Sequence, residues 1–328
     1  MQVTGQNLSF VLFCAFLLVA CGTERGRGAD GELIDSTPVT FPDEDIRRLE
    51  EKHPQIRVIL EAVEVRGITY LSDGLKVKGF LAVPKQRDEK LPCVIYNRGG
   101  NREFGAWDDE AAVLVLGRIA SWGYVVVASQ YRGVAGGEGQ EEFGGKDIED
   151  VLSLVPLLEA QPPADASRIG MYGWSRGGMM TYLALAKTDR IKAAVVGGGG
   201  SDLRRIAKRP DAEAMERYVL GQLIPDYYKN KEASLAARSA VTWPEKLCKT
   251  TPILMLHGTA DWRVDPTQPL EMATKLLECQ QPFRLIMFEG GDHGLSEYRD
   301  EVNQQARAWL DRYVRDGKFW PSLEPHGP

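Results

Sequence analysis

From residue 62 onward, short apolar runs rich in Val and Ile alternate with helical stripes, and this alternation limits the chain to a small set of folds. Residues 62–71 and 76–83 flank the turn Ser72-Asp73-Gly74 and predict a strand pair. Runs at 93–96, 124–129, 168–172, 193–196, 253–256 and 284–288 suit strands buried on both faces. Between them, Ile148, Val151, Leu152, Val155 and Leu158 form one helical stripe. Val302, Ala306, Trp309, Leu310 and Tyr313 form another, with Gly317 placed to end it. Strands that alternate with helices imply βαβ units and a mostly parallel central sheet flanked by helices, the α/β class. The spacing stretches only after the sixth strand, where 201–248 holds helical segments and no strand pattern. An insertion at a strand's carboxyl end is placed to cover a site there.

The amino terminus reads as an address. Residues 8–20 are almost wholly apolar and uncharged. At 1.5 Å per residue such a run is too short to span a bilayer core of about 30 Å as a helix, but it has the length of a secretory h-region. It ends in Leu18-Val19-Ala20-Cys21-Gly22, which resembles the bacterial lipobox, although the first ten residues carry no Lys or Arg. The resemblance implies cleavage after residue 20, lipidation of Cys21 and a place in the bacterial cell envelope. Gly22, in place of an inner-membrane Asp signal, points to the outer membrane. The predicted organisation is a signal peptide at 1–20, a flexible tether at 21–42, a helical lead-in at 43–61 interrupted at Pro54, a main α/β domain at 62–317 and a tail at 318–328.

Gly173-Trp174-Ser175-Arg176-Gly177 matches G-x-S-x-G. With 34 Gly and 13 Ser in 328 residues the pattern alone would arise by chance in roughly one such chain in seven. Its setting between the strand 168–172 and a helical run from 179 to 187 is what a nucleophile elbow requires. A serine hydroxyl needs a base, and the base an orienting acid, in the chain order Ser, Asp or Glu, His. The chain has four histidines. His293, in the loop Gly290-Gly291-Asp292-His293-Gly294 after the last strand, is the base by elimination; His257 reads as a structural strand-end residue. Asp261, directly after the strand 253–256, is the acid, whereas Asp265 before Pro266 reads as a helix cap. Two backbone N–H donors should hold an oxyanion: that of Arg176, and that of Gly100 in Asn97-Arg98-Gly99-Gly100-Asn101. Arg98 and Arg102 are alternative substrate-reading groups.

Together, Gly173-Trp174-Ser175-Arg176-Gly177-Gly178, His257-Gly258 with Asp261 and Val264, and Gly291-Asp292-His293-Gly294 resemble the catalytic domain of prolyl oligopeptidase family serine peptidases. Tyr131-Arg132-Gly133, Gly136-Gly137 and Gly144-Gly145-Lys146-Asp147 are similar to that family's loop before the elbow. The resemblance covers residues 62–317 and implies an α/β-hydrolase fold and peptide hydrolysis through an acyl-enzyme. Two features depart from the family. Arg98-Gly99-Gly100-Asn101 stands where the family usually has His-Gly-Gly-Pro, so only the glycine donors carry over. Only about 40 residues separate Cys21 from the hydrolase domain, too few for the family's amino-terminal β-propeller. Small peptides are therefore the expected substrates, with a carboxylesterase as the alternative and a non-catalytic surface-binding lipoprotein as a minor one.

The chemistry needs no metal or organic cofactor. Forty basic against 46 acidic residues leave a net charge of −6 with no extended basic patch, which argues against nucleic-acid binding. Past the leader only Cys93, Cys248 and Cys279 remain, and they read as buried small hydrophobes rather than a disulfide framework.

Overall fold

The computed structural model describes residues 1–2 and 28–327, so the apolar run 8–20 and Cys21 lie outside the described residues. Among the described residues nine strands form one sheet: β1 (Leu33–Pro38), β2 (Val63–Ser72), β3 (Leu75–Pro84), β4 (Leu91–Asn97), β5 (Val125–Ser129), β6 (Ala164–Trp174), β7 (Ile191–Gly197), β8 (Ile253–Gly258) and β9 (Phe283–Phe288). Their spatial order is β1-β2-β3-β5-β4-β6-β7-β8-β9. The first four in that order pair antiparallel, and β5 through β9 run parallel. A parallel sheet needs cover on both faces, which is why β4 and β8 are buried almost throughout.

That cover is two apolar layers. On one face the helices Asp147–Leu152, Leu154–Glu159 and Arg176–Leu185 pack with the segment between β7 and β8. On the other, the lead-in helices Asp43–Lys52 and Ile56–Ala62 pack with the helix Arg299–Leu310 and the turns around Val113–Leu116. The stripe through 148–158 is two helices rather than one, because Pro156 has no N–H to donate to the carbonyl of Leu152. Gly317, at φ +60°, follows the final helical turn Asp311–Arg315.

Two further expectations are corrected. The tether at 21–42 is not a tether throughout. Residues Leu33–Pro38 form β1, an edge strand that pairs antiparallel with β2 through backbone hydrogen bonds while most of its side chains stay exposed. Because β1 adds a strand before those read from the sequence, the long segment 201–248 follows the seventh strand rather than the sixth. That segment is a series of short helical turns, among them Leu203–Lys208, Glu216–Leu220 and Lys231–Ala236. Of the three cysteines described, none is in a disulfide. Cys93 is buried, and burial pushes its thiol up to about 12; Cys248 and Cys279 are only half-buried.

Candidate active site

Four loops meet where the parallel strands end, the place open α/β sheets hold their ligands. They follow β4, β6, β8 and β9 and bring Gly100, Ser175, Asp261 and His293 to one end of the sheet. Ser175 occupies a sharp turn at φ 57°, ψ −121°, strained backbone held by its own N–H donating to the Gly197 carbonyl and by Gly178 N–H donating to the Ser175 carbonyl. The flanking glycines allow that turn to sit where it does: a Cβ on Gly177 would lie 1.9 Å from the Asn97 carbonyl oxygen, and one on Gly173 2.1 Å from that of Gly177.

The three side chains form a continuous hydrogen-bonded line. His293 Nε2 lies 2.9 Å from Ser175 Oγ, and His293 Nδ1 lies 2.8 Å from Asp261 Oδ2. The Asp261 side chain is fully buried and that of His293 is 16% exposed. Burial pushes the Asp261 carboxyl up, but hydrogen bonds from His257 and His293, the charge of His293 and the Val264 amide outweigh it. They hold the group well below the usual carboxylate range. Its other oxygen accepts from the N–H groups of Arg263 and Val264 at 2.8 and 2.9 Å, so the carboxylate cannot swing away from the imidazole. Two further ties fix the loops: Ala260 N–H donates to Gly291, and Trp174 Nε1 donates to the His293 carbonyl at 3.1 Å.

The neighbouring acids lie apart from this line. Asp265 accepts from the Thr267 amide and hydroxyl at the start of the helix Thr267–Glu278. Asp292 accepts from the amides of Gly294 and Ser296. Arg98, offered by the sequence as a substrate reader, is instead buried and spends its guanidinium on the carbonyls of Gln130, Gly99 and Arg102. Arg102 reaches Gln222 and the Tyr218 carbonyl.

Sequence reasoning missed two groups. His257 is more than a strand-end filler. Its Nε2 donates to the Val264 carbonyl at 2.9 Å and stands 3.2 Å from Asp261 Oδ2, so a second imidazole braces the carboxylate. The Arg176 side chain forms a buried three-charge cluster with Glu141, at 2.8 Å, and Asp147. It lies between the rings of Tyr131 and Phe143, 4.8 and 4.7 Å from their centroids. His257-Gly258 and Gly145-Lys146-Asp147 were visible as motif residues, but the contact of His257 with Asp261 needs the loop after β8 to fold back, and the partner of Asp147 comes from the elbow after β6.

Ser175 opens onto a cavity of about 120 Å³ whose walls include Gly100 and Arg176 beside Phe104, Phe143, Met179, Leu203, Ile206 and Met215. Three of these belong to the segment between β7 and β8. The Gly100 backbone, at φ +73°, is folded so that a Cβ there would strike the Phe104 carbonyl oxygen at 2.0 Å. Among the described residues no group of three or more His, Cys, Asp or Glu side chains is placed to hold a metal ion.

Residues 110–317 match the family model described as the prolyl oligopeptidase family. An uncharacterised peptidase of Bacillus subtilis strain 168, YtmA, is 34% identical over 228 residues, covering 67% of this chain and 82% of its own. Dipeptidyl-peptidase 5 of Porphyromonas gingivalis is 25% identical over 259 residues, covering 74% of this chain but 37% of that protein. Among solved structures, acylaminoacyl peptidase of Pyrococcus horikoshii superposes with a TM-score of 0.66 at 23% identity. The match takes in 80% of this chain and 44% of that one, and it supports the α/β-hydrolase fold. The chain thus spans most of YtmA and less than half of the two larger relatives.

Proposed function

The chain belongs to the prolyl oligopeptidase family of serine peptidases, and from that premise we propose that it hydrolyses acyl bonds of small peptides through an acyl-enzyme on Ser175. The observation behind the reading is the unbroken line from Ser175 Oγ through both nitrogens of His293 to Asp261. Ser175 Oγ attacks the scissile carbonyl while His293 Nε2 takes its proton. The imidazolium that forms is stabilised by Asp261, and His293 then returns the proton to the leaving amine. Water repeats the sequence to release the acid. The negative oxygen of each tetrahedral intermediate is held by the backbone N–H groups of Arg176 and Gly100. The apolar walls of Phe104, Phe143, Met179, Leu203 and Ile206 favour a large apolar side chain beside the scissile carbonyl.

The same reading places the protein on a bacterial membrane, with residues 1–20 removed and Cys21 lipidated. Its support is the uncharged apolar run that ends in Leu18-Val19-Ala20-Cys21. Two measurements test the proposal. A panel of matched aminoacyl amides and esters with Phe, Leu, Ala or Glu at the acyl position should show amide cleavage that prefers Phe or Leu. Ester cleavage without amide cleavage would replace the peptidase by a carboxylesterase. Intact mass of the mature protein should show two or more acyl chains on Cys21; an unmodified Cys21 or a retained leader would remove the anchor.

A further inference from the structure

A second cavity, of about 260 Å³, is bordered by Gly294 and Leu295, directly after His293, and shares no lining residue with the one Ser175 opens onto. Its wall is aromatic: Tyr96, Tyr172 and Trp174 run in succession, with ring centroids 5.1 and 6.4 Å apart. Both tyrosines are more than nine-tenths buried. Two arginines complete the cavity, the half-buried Arg118 and the exposed Arg299. Arg118 leaves a π-helical turn, Val113–Gly117, whose wide ring is common at functional positions. Arg299 begins the helix Arg299–Leu310, directly after the loop that holds His293.

These guanidiniums are unusual in this chain. Among the described residues, neither has a hydrogen bond, a carboxylate within ion-pair reach, or a ring beneath it. The buried or half-buried Arg98, Arg132, Arg176 and Arg238, in contrast, all have such partners. Burial pulls the Arg118 guanidinium down from its ordinary value and the charge of Arg299 adds to that, while Asp300, Tyr172 and Tyr96 oppose them without restoring it. A half-buried cation that faces a like charge is costly unless an anion joins them.

We propose that this cavity is a binding site for a small organic carboxylate with an aromatic or aliphatic body, held by Arg118 and Arg299 against the Tyr96–Tyr172–Trp174 wall. The planar fork of an arginine matches a carboxylate. The aromatic wall suits an apolar body rather than a bare inorganic ion. This site is separate from the one that performs hydrolysis, and its proposal stands whatever bond the enzyme cleaves.

The test uses 3-phenylpropionate, its neutral isostere 3-phenylpropanamide, and inorganic phosphate, each titrated into the full-length protein by calorimetry and followed by tryptophan fluorescence. The expected result is saturable binding of 3-phenylpropionate, at least tenfold weaker binding of the amide, and a tenfold or greater loss of carboxylate affinity in both Arg118→Met and Arg299→Met. The variants should unfold at or above the wild-type urea midpoint, because each removes one of two facing like charges. That midpoint separates lost binding from lost structure. Carboxylate binding unchanged in the variants, equal binding of the amide, or no saturation overturns the site. Phosphate binding more tightly than 3-phenylpropionate overturns the organic ligand.

Discussion

Replacing Arg176 by Met tests how the nucleophile turn is held. Among the described residues the guanidinium is the only cation within ion-pair distance of Glu141 and Asp147, whose side chains are 2% and 0% exposed. After the substitution Asp147 retains the Gly144 amide and Glu141 the Arg102 amide, but both carboxylates are left buried without a counter-charge. Burial pulls the Arg176 guanidinium down, yet Asp147 and Glu141 more than offset this and raise it above its ordinary value, so the native pair is a net attraction. Breaking a buried pair from one side costs about 3–5 kcal/mol. Contacts with the rings of Tyr131 and Phe143 fall within that figure, since Met fills part of the same space. Arg176 is also the first residue of the helix Arg176–Leu185 and the proposed oxyanion donor, so kcat should fall roughly tenfold or more with little change in KM. Urea unfolding of Arg176→Met, Asp147→Asn and the double variant checks the energy. The double variant should be more stable than the sum of the single losses predicts, by about 1–3 kcal/mol. A single variant within about 1 kcal/mol of wild type, or strictly additive losses, would refute the reasoning.

Three further outcomes are expected. Asp261→Asn should lower kcat by about 10³–10⁴-fold while Asp265→Asn stays near wild type in the same hydrolysis assay, because Asp261 contacts His293 whereas Asp265 accepts from Thr267 at a helix start, where Asn caps about as well. Because the native Asp261 carboxyl is held below its unfolded value of about 3.9, the stability it confers is present above that pH and lost as pH falls further. The urea-midpoint gap between wild type and Asp261→Asn should therefore be largest near pH 7 and close below about pH 4; a gap that widens in acid contradicts the assignment. Gly177→Ala should destabilise the fold by about 1–3 kcal/mol or more, measured by thermal unfolding, since its Cβ would press on the Asn97 carbonyl; a neutral substitution would show that the turn has room.

Much of this architecture was legible in the sequence, for physical reasons. Strands such as β4 and β8, buried on both faces, must be continuous apolar runs, and that is how they read. β1 was hidden because Leu-Ile-Asp-Ser-Thr-Pro has no alternation to read: an exposed edge strand is held by backbone hydrogen bonds, which depend little on side-chain polarity and tolerate Pro38 at the strand's end. The helix break near Ser153 turned on a single missing N–H, that of Pro156, inside an otherwise unbroken stripe. At the site, Ser175, Asp261 and His293 stood out because motif, residue type and strand-end position coincide. The brace from His257 did not, since the distance from its ring to Asp261 depends on how the loop after β8 folds back on itself. Nor did the pairing of Arg176 with Glu141 and Asp147, or the facing of Arg118 and Arg299, because the sheet alone brings these distant segments together.

The central claim is that Ser175 is a nucleophile activated by His293. It is tested most directly by reaction with a fluorophosphonate probe, followed by peptide mass mapping of wild type, Ser175→Ala and His293→Ala. A single adduct is expected, on Ser175 in the wild type, absent from Ser175→Ala and formed at least 10³-fold more slowly in His293→Ala, with all three proteins folded. An adduct on another residue, or unchanged labelling in His293→Ala, would contradict it.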